Sequence, residues 1–96
     1  VYIDYDILRS KAFIDNNNKV VSITPTDKIV YSLLRSIYND NGAFKLQQAD
    51  IALVLGLDIK TIQRSIKKFK EGGVISIEYG SQYNITYIDI KDINCH

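Results

Sequence analysis

Cysteine, histidine and proline each occur once in these 96 residues, and methionine and tryptophan are absent. Each scarcity removes a class of chemistry. One cysteine, Cys95, supports neither a disulfide framework nor a cysteine metal cluster. The one histidine, His96, is terminal, where fraying is expected, so Ser-His-Asp, Cys-His and histidine-metal centres lack a firm position. No catalysis, metal or cofactor is expected. Apolar runs are too short for a membrane span, and no charged-then-apolar leader opens the sequence, so the expected location is the cytoplasm.

What remains is an ordinary globular composition, 46% hydrophobic and 24% charged, at a length expected to form one domain over residues 1–96. Net charge is only +1, but it is unevenly spread. Between Ala43 and Gly73 stand six basic residues (Lys45, Lys60, Arg64, Lys67, Lys68 and Lys70) against Asp50, Asp58 and Glu71. Elsewhere acids outnumber bases. A local cationic surplus on a near-neutral chain points to an anion-facing patch.

The fold class expected is α+β, with three helices, a C-terminal β-hairpin and an extra N-terminal segment over residues 1–23. In that segment Tyr2–Ile3 and Tyr5–Leu8 suit an extended lead-in followed by a helical turn. Ala12–Ile14 and Val20–Val21 suit two short strands around Asp15-Asn16-Asn17-Asn18, because Asn tolerates left-handed backbone. Thr24-Pro25-Thr26-Asp27 then offers a cap, a proline at the first helical position and an early acid, predicting a helix over 24–39 that runs to about Tyr38. Ile29, Leu33, Ile37, Val30 and Leu34 form its broad apolar face, with Tyr31 and Tyr38 at the edge and Ser32, Arg35 and Ser36 opposite. Such a face suits a central core helix, or one at which Tyr31, Leu34 and Tyr38 also meet a partner subunit.

Ala43–Leu46 suits a short strand. Gln48–Leu55 suits a helix burying Ile51, Ala52 and Leu55, Gly56 supplies a turn, and Asp58 is placed to cap a helix from Ile59 to Glu71, which Gly72-Gly73 ends. The helix-turn-helix thus covers 48–71. Val74–Tyr79 and Tyr83–Ile90 alternate as a hairpin around Gly80-Ser81-Gln82, a wing spanning 74–90.

On the Ile59–Glu71 helix, Ile59, Ile62, Ile66 and Phe69 share one arc, while Arg64, Lys60, Lys67, Lys68, Thr61 and Glu71 lie opposite and Gln63, Ser65 and Lys70 flank them. A major groove admits an α-helix whose Arg or Gln reads purine edges while Lys and Thr hold phosphates. Arg64 is the candidate for a guanine, Gln63 for an adenine and Thr61 for a phosphate or thymine methyl. Lys60, Lys67 and Lys68 are candidate phosphate clamps. The plainer alternative is a solvated basic face with Glu71 and Asp58 as local ion partners.

The succession Ile51-Ala52, Leu55-Gly56-Leu57, Thr61-Ile62, Arg64, Ile66, Phe69 and Gly73-Val74-Ile75 resembles the winged helix-turn-helix family. Less specifically, Tyr5, Leu8, Thr24-Pro25-Thr26 and Tyr31-Ser32-Leu33-Leu34 resemble the lead-in of plasmid and phage origin-binding domains, whether replication initiators or conjugation accessories. The resemblance implies a double-stranded DNA-binding module, commonly a homodimer and often encoded on mobile elements. Other replication or transfer proteins are its implied partners.

The wing departs from that family, whose wings often carry cations. Val74 to Ile90 contains no Arg or Lys, only Glu78 and Asp89. Tyr79, Ser81, Gln82, Tyr83 and Asn84 are its candidate contacts, the two amides being able to donate and accept toward base edges. Alternatively the wing only completes the sheet. The leading reading is a non-catalytic, sequence-specific DNA-binding protein acting at an origin or in transcriptional repression. Two other classes compete: a protein-interaction module using the tyrosine surplus, and a small nuclease in which Asp4, Asp6, Asp89 and Asp92 hold Mg²⁺.

Overall fold

The computed structural model describes residues 11–15, 17–80 and 85–91. Their order is β1 (Ala12–Ile14), β2 (Val20–Ser22), α1 (Pro25–Asn41), β3 (Phe44–Lys45), α2 (Gln48–Leu55), α3 (Ile59–Glu71), β4 (Ile75–Tyr79) and β5 (Ile85–Ile90). Three helices with antiparallel strands form the expected α+β winged arrangement. The expected lead-in at Tyr2–Leu8 lies outside the described residues.

Local chemistry accounts for the first ribbon. β1 and β2 pair antiparallel with Phe13 opposite Val21. The Asp15 carboxylate accepts from the amides of Asn17 and Lys19, both at 2.8 Å, and Asn18 takes a left-handed φ of 63°. Short polar side chains tolerate that conformation, as the asparagine run predicts.

α1 begins with a reciprocal capping box. Thr24 Oγ1 accepts from the Asp27 amide at 3.1 Å, and the Asp27 carboxylate accepts from the Thr24 amide at 2.9 Å. Pro25 then loses nothing by lacking an N–H. The helix runs three residues past the expected end at Tyr38 and stops at Gly42, whose amide still donates to the Tyr38 carbonyl at 2.7 Å while its φ of 70° turns the following chain out of the helix. The polar Asn39-Asp40-Asn41 run lowers helix propensity without ending the helix.

The buried face of α1 is also rolled from the expected one. Val30, Tyr31 and Leu34 are core residues and Ser32 is covered, whereas Ile29 is 50% exposed. An apolar pattern wider than half the helix does not fix its own centre; the packing partners do. With Tyr31 and Leu34 inside the core, they offer no subunit interface.

β5 is the middle strand of a three-stranded sheet ordered β3-β5-β4. Phe44 and Ile77 both register with Tyr87, and the ladder is irregular between Ser76 and Ile77. Phe44 and Tyr87 stack with centroids 4.8 Å apart. Across the core, Phe69 of α3 meets Phe13 of β1 at 5.8 Å and Tyr31 of α1 at 5.6 Å. α1 grips the end of β5 through polar side chains. Tyr31 donates to the Lys91 carbonyl at 2.8 Å, Arg35 donates to the Ile90 carbonyl, and Tyr38 donates to the Asp89 carboxylate at 3.0 Å. That last bond, followed by burial and the charge of Asp89, pushes the Tyr38 hydroxyl pKa upward.

Candidate nucleic-acid interface

The turn between α2 and α3 rests on Gly56, whose φ of 67° is left-handed, and the following Leu57 amide bonds the Ala52 carbonyl at 3.0 Å. α2 buries Ile51 and Ala52 as expected, only half-buries Leu55, and leaves Leu53 81% and Val54 70% exposed. Asp58 occupies the cap position of α3 without making a side-chain cap bond, contrary to the role expected of it. Gly73, with a φ of 79°, turns the chain from α3 into β4.

α3 is sharply two-sided. Ile62, Ser65, Ile66 and Phe69 are buried, while Lys60, Gln63, Arg64, Lys67 and Lys70 are exposed and Thr61 is half-buried. Two expectations shift here: Ile59 is 39% exposed, and Ser65 is buried at 2% exposure. Ser65 is drawn inward because its hydroxyl donates to the Asp27 carboxylate at 2.6 Å. Lys60, Gln63, Arg64 and Lys67 line one open surface and form the outward ridge. Lys67 also lies 4.0 Å from Glu71, an exposed pair of little energetic weight.

A cleft opens on each side of this ridge. One, of about 400 Å³, is lined by Gln48 of α2, Gln63, Ile66, Lys67, Lys70 and Glu71 of α3, and Tyr79 of β4. The other, of about 350 Å³, is lined by Thr24, Thr26 and Asp27 at the start of α1 and by Thr61, Arg64, Ser65 and Lys68. At 100° per residue, the two sets of α3 positions lie on opposite flanks of the ridge.

Residues 22–75, more than half of the chain, match the model of a family described as a helix-turn-helix domain. The chain belongs to that family. Comparison with curated proteins gave no match. Membership of a helix-turn-helix family supports DNA as the ligand.

Within this helix-turn-helix, Lys68, a candidate phosphate clamp, is engaged inside the fold. Its ammonium lies 2.5 Å from the Asp27 carboxylate and donates to the Ser22 carbonyl at 3.1 Å. Asp27 itself is 3% exposed. Burial would raise its pKa, but the bonds from Lys68, Ser65 and the Thr24 amide outweigh that and hold the carboxyl below its ordinary value.

Of the candidate wing contacts, Tyr79 is 61% exposed, with the Lys70 ammonium 4.6 Å from its ring centroid and 3.4 Å from its hydroxyl. Ser81, Gln82, Tyr83 and Asn84 lie outside the described residues. So do Asp4, Asp6 and Asp92, while Asp89 accepts from Tyr38. Among the described residues no cluster of metal-ligating side chains occurs, and no helix is long and apolar enough to cross a membrane. Sequence reasoning passed over Gln48, Thr24, Thr26 and Asp27 as site residues. The Thr24-x-x-Asp27 capping pattern located two of them without showing what lay across from them.

Proposed function

We propose that this helix-turn-helix domain binds a specific double-stranded DNA sequence without catalysis, at a replication or transfer origin or an operator of a plasmid or phage. One observation carries the DNA reading: Lys60, Gln63, Arg64 and Lys67 form an exposed ridge on a helix whose other side is locked into the core. Long cations supply sequence-independent phosphate attraction, while Arg64 and Gln63 supply hydrogen bonds matched to guanine and adenine edges. The origin assignment rests on the resemblance of the lead-in segment. The module acts in the cytoplasm as a homodimer alongside replication or transfer proteins.

The decisive experiment is selection of binding sites from random duplexes. Enrichment of one motif is expected, and half-sites repeated about 10 base pairs apart would reveal a dimer. Failure to enrich any motif would sink sequence-specific binding.

A second reading has its own support. Leu53 and Val54 form an exposed apolar pair on α2, which suits a protein-interaction module. Arg64→Glu combined with Lys67→Glu separates the two readings: DNA binding is lost under the first and irrelevant to partner capture under the second.

A further inference from the structure

We infer that Asp27 is a specificity-determining positioning residue, which sets the roll of the recognition helix α3 and withholds Lys68 from the DNA backbone. The inference deepens the DNA-binding reading and rests on it. Its basis is one buried carboxylate that joins three parts of the fold. Asp27 Oδ2 accepts from the Thr24 amide at 2.9 Å, which anchors the carboxylate to the start of α1. Oδ1 accepts from Ser65 at 2.6 Å, and Oδ2 accepts from Lys68, so α3 is held at two points one turn apart. Lys68 continues to the Ser22 carbonyl at the end of β2.

Apolar packing through Ile62, Ile66 and Phe69 holds α3 down but is tolerant of small rotations, because dispersion contacts are non-directional. Hydrogen bonds to one fixed carboxylate are directional. Ser65 and Lys68 lie on the same flank of α3, so their attachment to Asp27 resists rotation of the helix about its own axis. Rotation by one residue's 100° would exchange the side chains meeting the groove, and a fraction of that angle would misplace Arg64 and Gln63. The same bonds engage a cation that otherwise faces the cleft beside Arg64. Lys68 is therefore a structural cation in the wild type, and the phosphate contacts fall to its neighbours on the ridge.

The test uses the full chain, the duplex motif enriched by wild-type selection and a random duplex of equal length. Asp27→Asn keeps the shape and an oxygen for the cap but removes the charge holding Lys68. The expected result is a cognate-to-random affinity ratio at least tenfold lower. The log–log salt dependence should steepen by about one, because Lys68 becomes free to meet a phosphate. Adding Lys68→Met should return the salt slope to the wild-type value without restoring discrimination. Mere loss of packing would produce no such reversal. Should Asp27→Asn fail to fold, Asp27→Asn with Lys68→Met removes both charges together, and Ser65→Ala removes the second bond alone; each is expected to lower discrimination. An unchanged ratio in the folded variants overturns this inference and leaves DNA binding intact. If the wild type enriches no motif, both readings fall.

Discussion

The α3 helix and the wing touch at Lys70 and Tyr79, yet they present opposite chemistry. α3 carries five cations among thirteen residues, whereas Val74 to Ile90 carries none. The helix keeps its apolar side buried and turns charge outward. In the wing, β5 spends Ile85, Tyr87 and Ile90 on the core, and Ser76, Glu78, Tyr79 and Ile88 remain exposed. Cations attract every phosphate alike, so under the proposed DNA binding the helix would supply binding strength and salt sensitivity. Whatever the wing contributes must come from neutral hydrogen bonding and aromatic surface.

The most disruptive way to break this contrast is to remove what seats the helix. Phe69→Ala deletes the ring that packs on both Phe13 and Tyr31 and is expected to cost about 3–5 kcal/mol. Urea unfolding would measure it, and helix and wing should be lost together in one transition. Next in size, Arg64→Glu with Lys67→Glu should weaken DNA binding on the order of 100-fold while leaving stability within about 0.5 kcal/mol. A fluorescence anisotropy titration beside a thermal melt checks both halves of that statement.

Acid probes the contrast more gently. Asp27 has a lowered pKa in the fold, so the stability it contributes is fully present above the ordinary aspartate value of about 4 and is lost as pH falls through the folded-state value. Unfolding free energies measured across that window should decline in the wild type, and Asp27→Asn should flatten that part of the decline. The smallest effect is expected in the wing. Tyr79→Ala removes an exposed cation–π contact with Lys70 and should change affinity about two- to fivefold. A larger, sequence-selective loss would make the wing a base reader and erase the division of labour.

The parts of this fold that depend on neighbouring residues were legible in the sequence. Gly56 and Gly73 announced their turns, Thr24-Pro25 announced the start of α1, and the asparagine run announced the β1–β2 connection. The alternation of 74–90 announced the hairpin. Long-range packing was not legible. Ile29 and Ile59 stay exposed because helical periodicity defines the width of an apolar face and not the direction in which its partners lie. Periodicity places Ser65 at the flank and Lys68 on the outer face of α3, because nothing local indicates a carboxylate 38 and 41 residues away in sequence. The pairing of β3 with β5 is similarly remote and only two residues long.

Gly72 leaves no room for a side chain. A methyl group there would sit 2.8 Å from the Phe13 ring, which is itself fully buried. β1 and the end of α3 are thus fitted to each other, although Phe13 precedes the family-matched stretch that begins at residue 22. The shared motif is therefore not a self-contained cartridge. Transplanting residues 22–75 into another protein would strip Phe69 and Gly72 of their cover, so a host would have to supply an aromatic lid and a strand in place of β5.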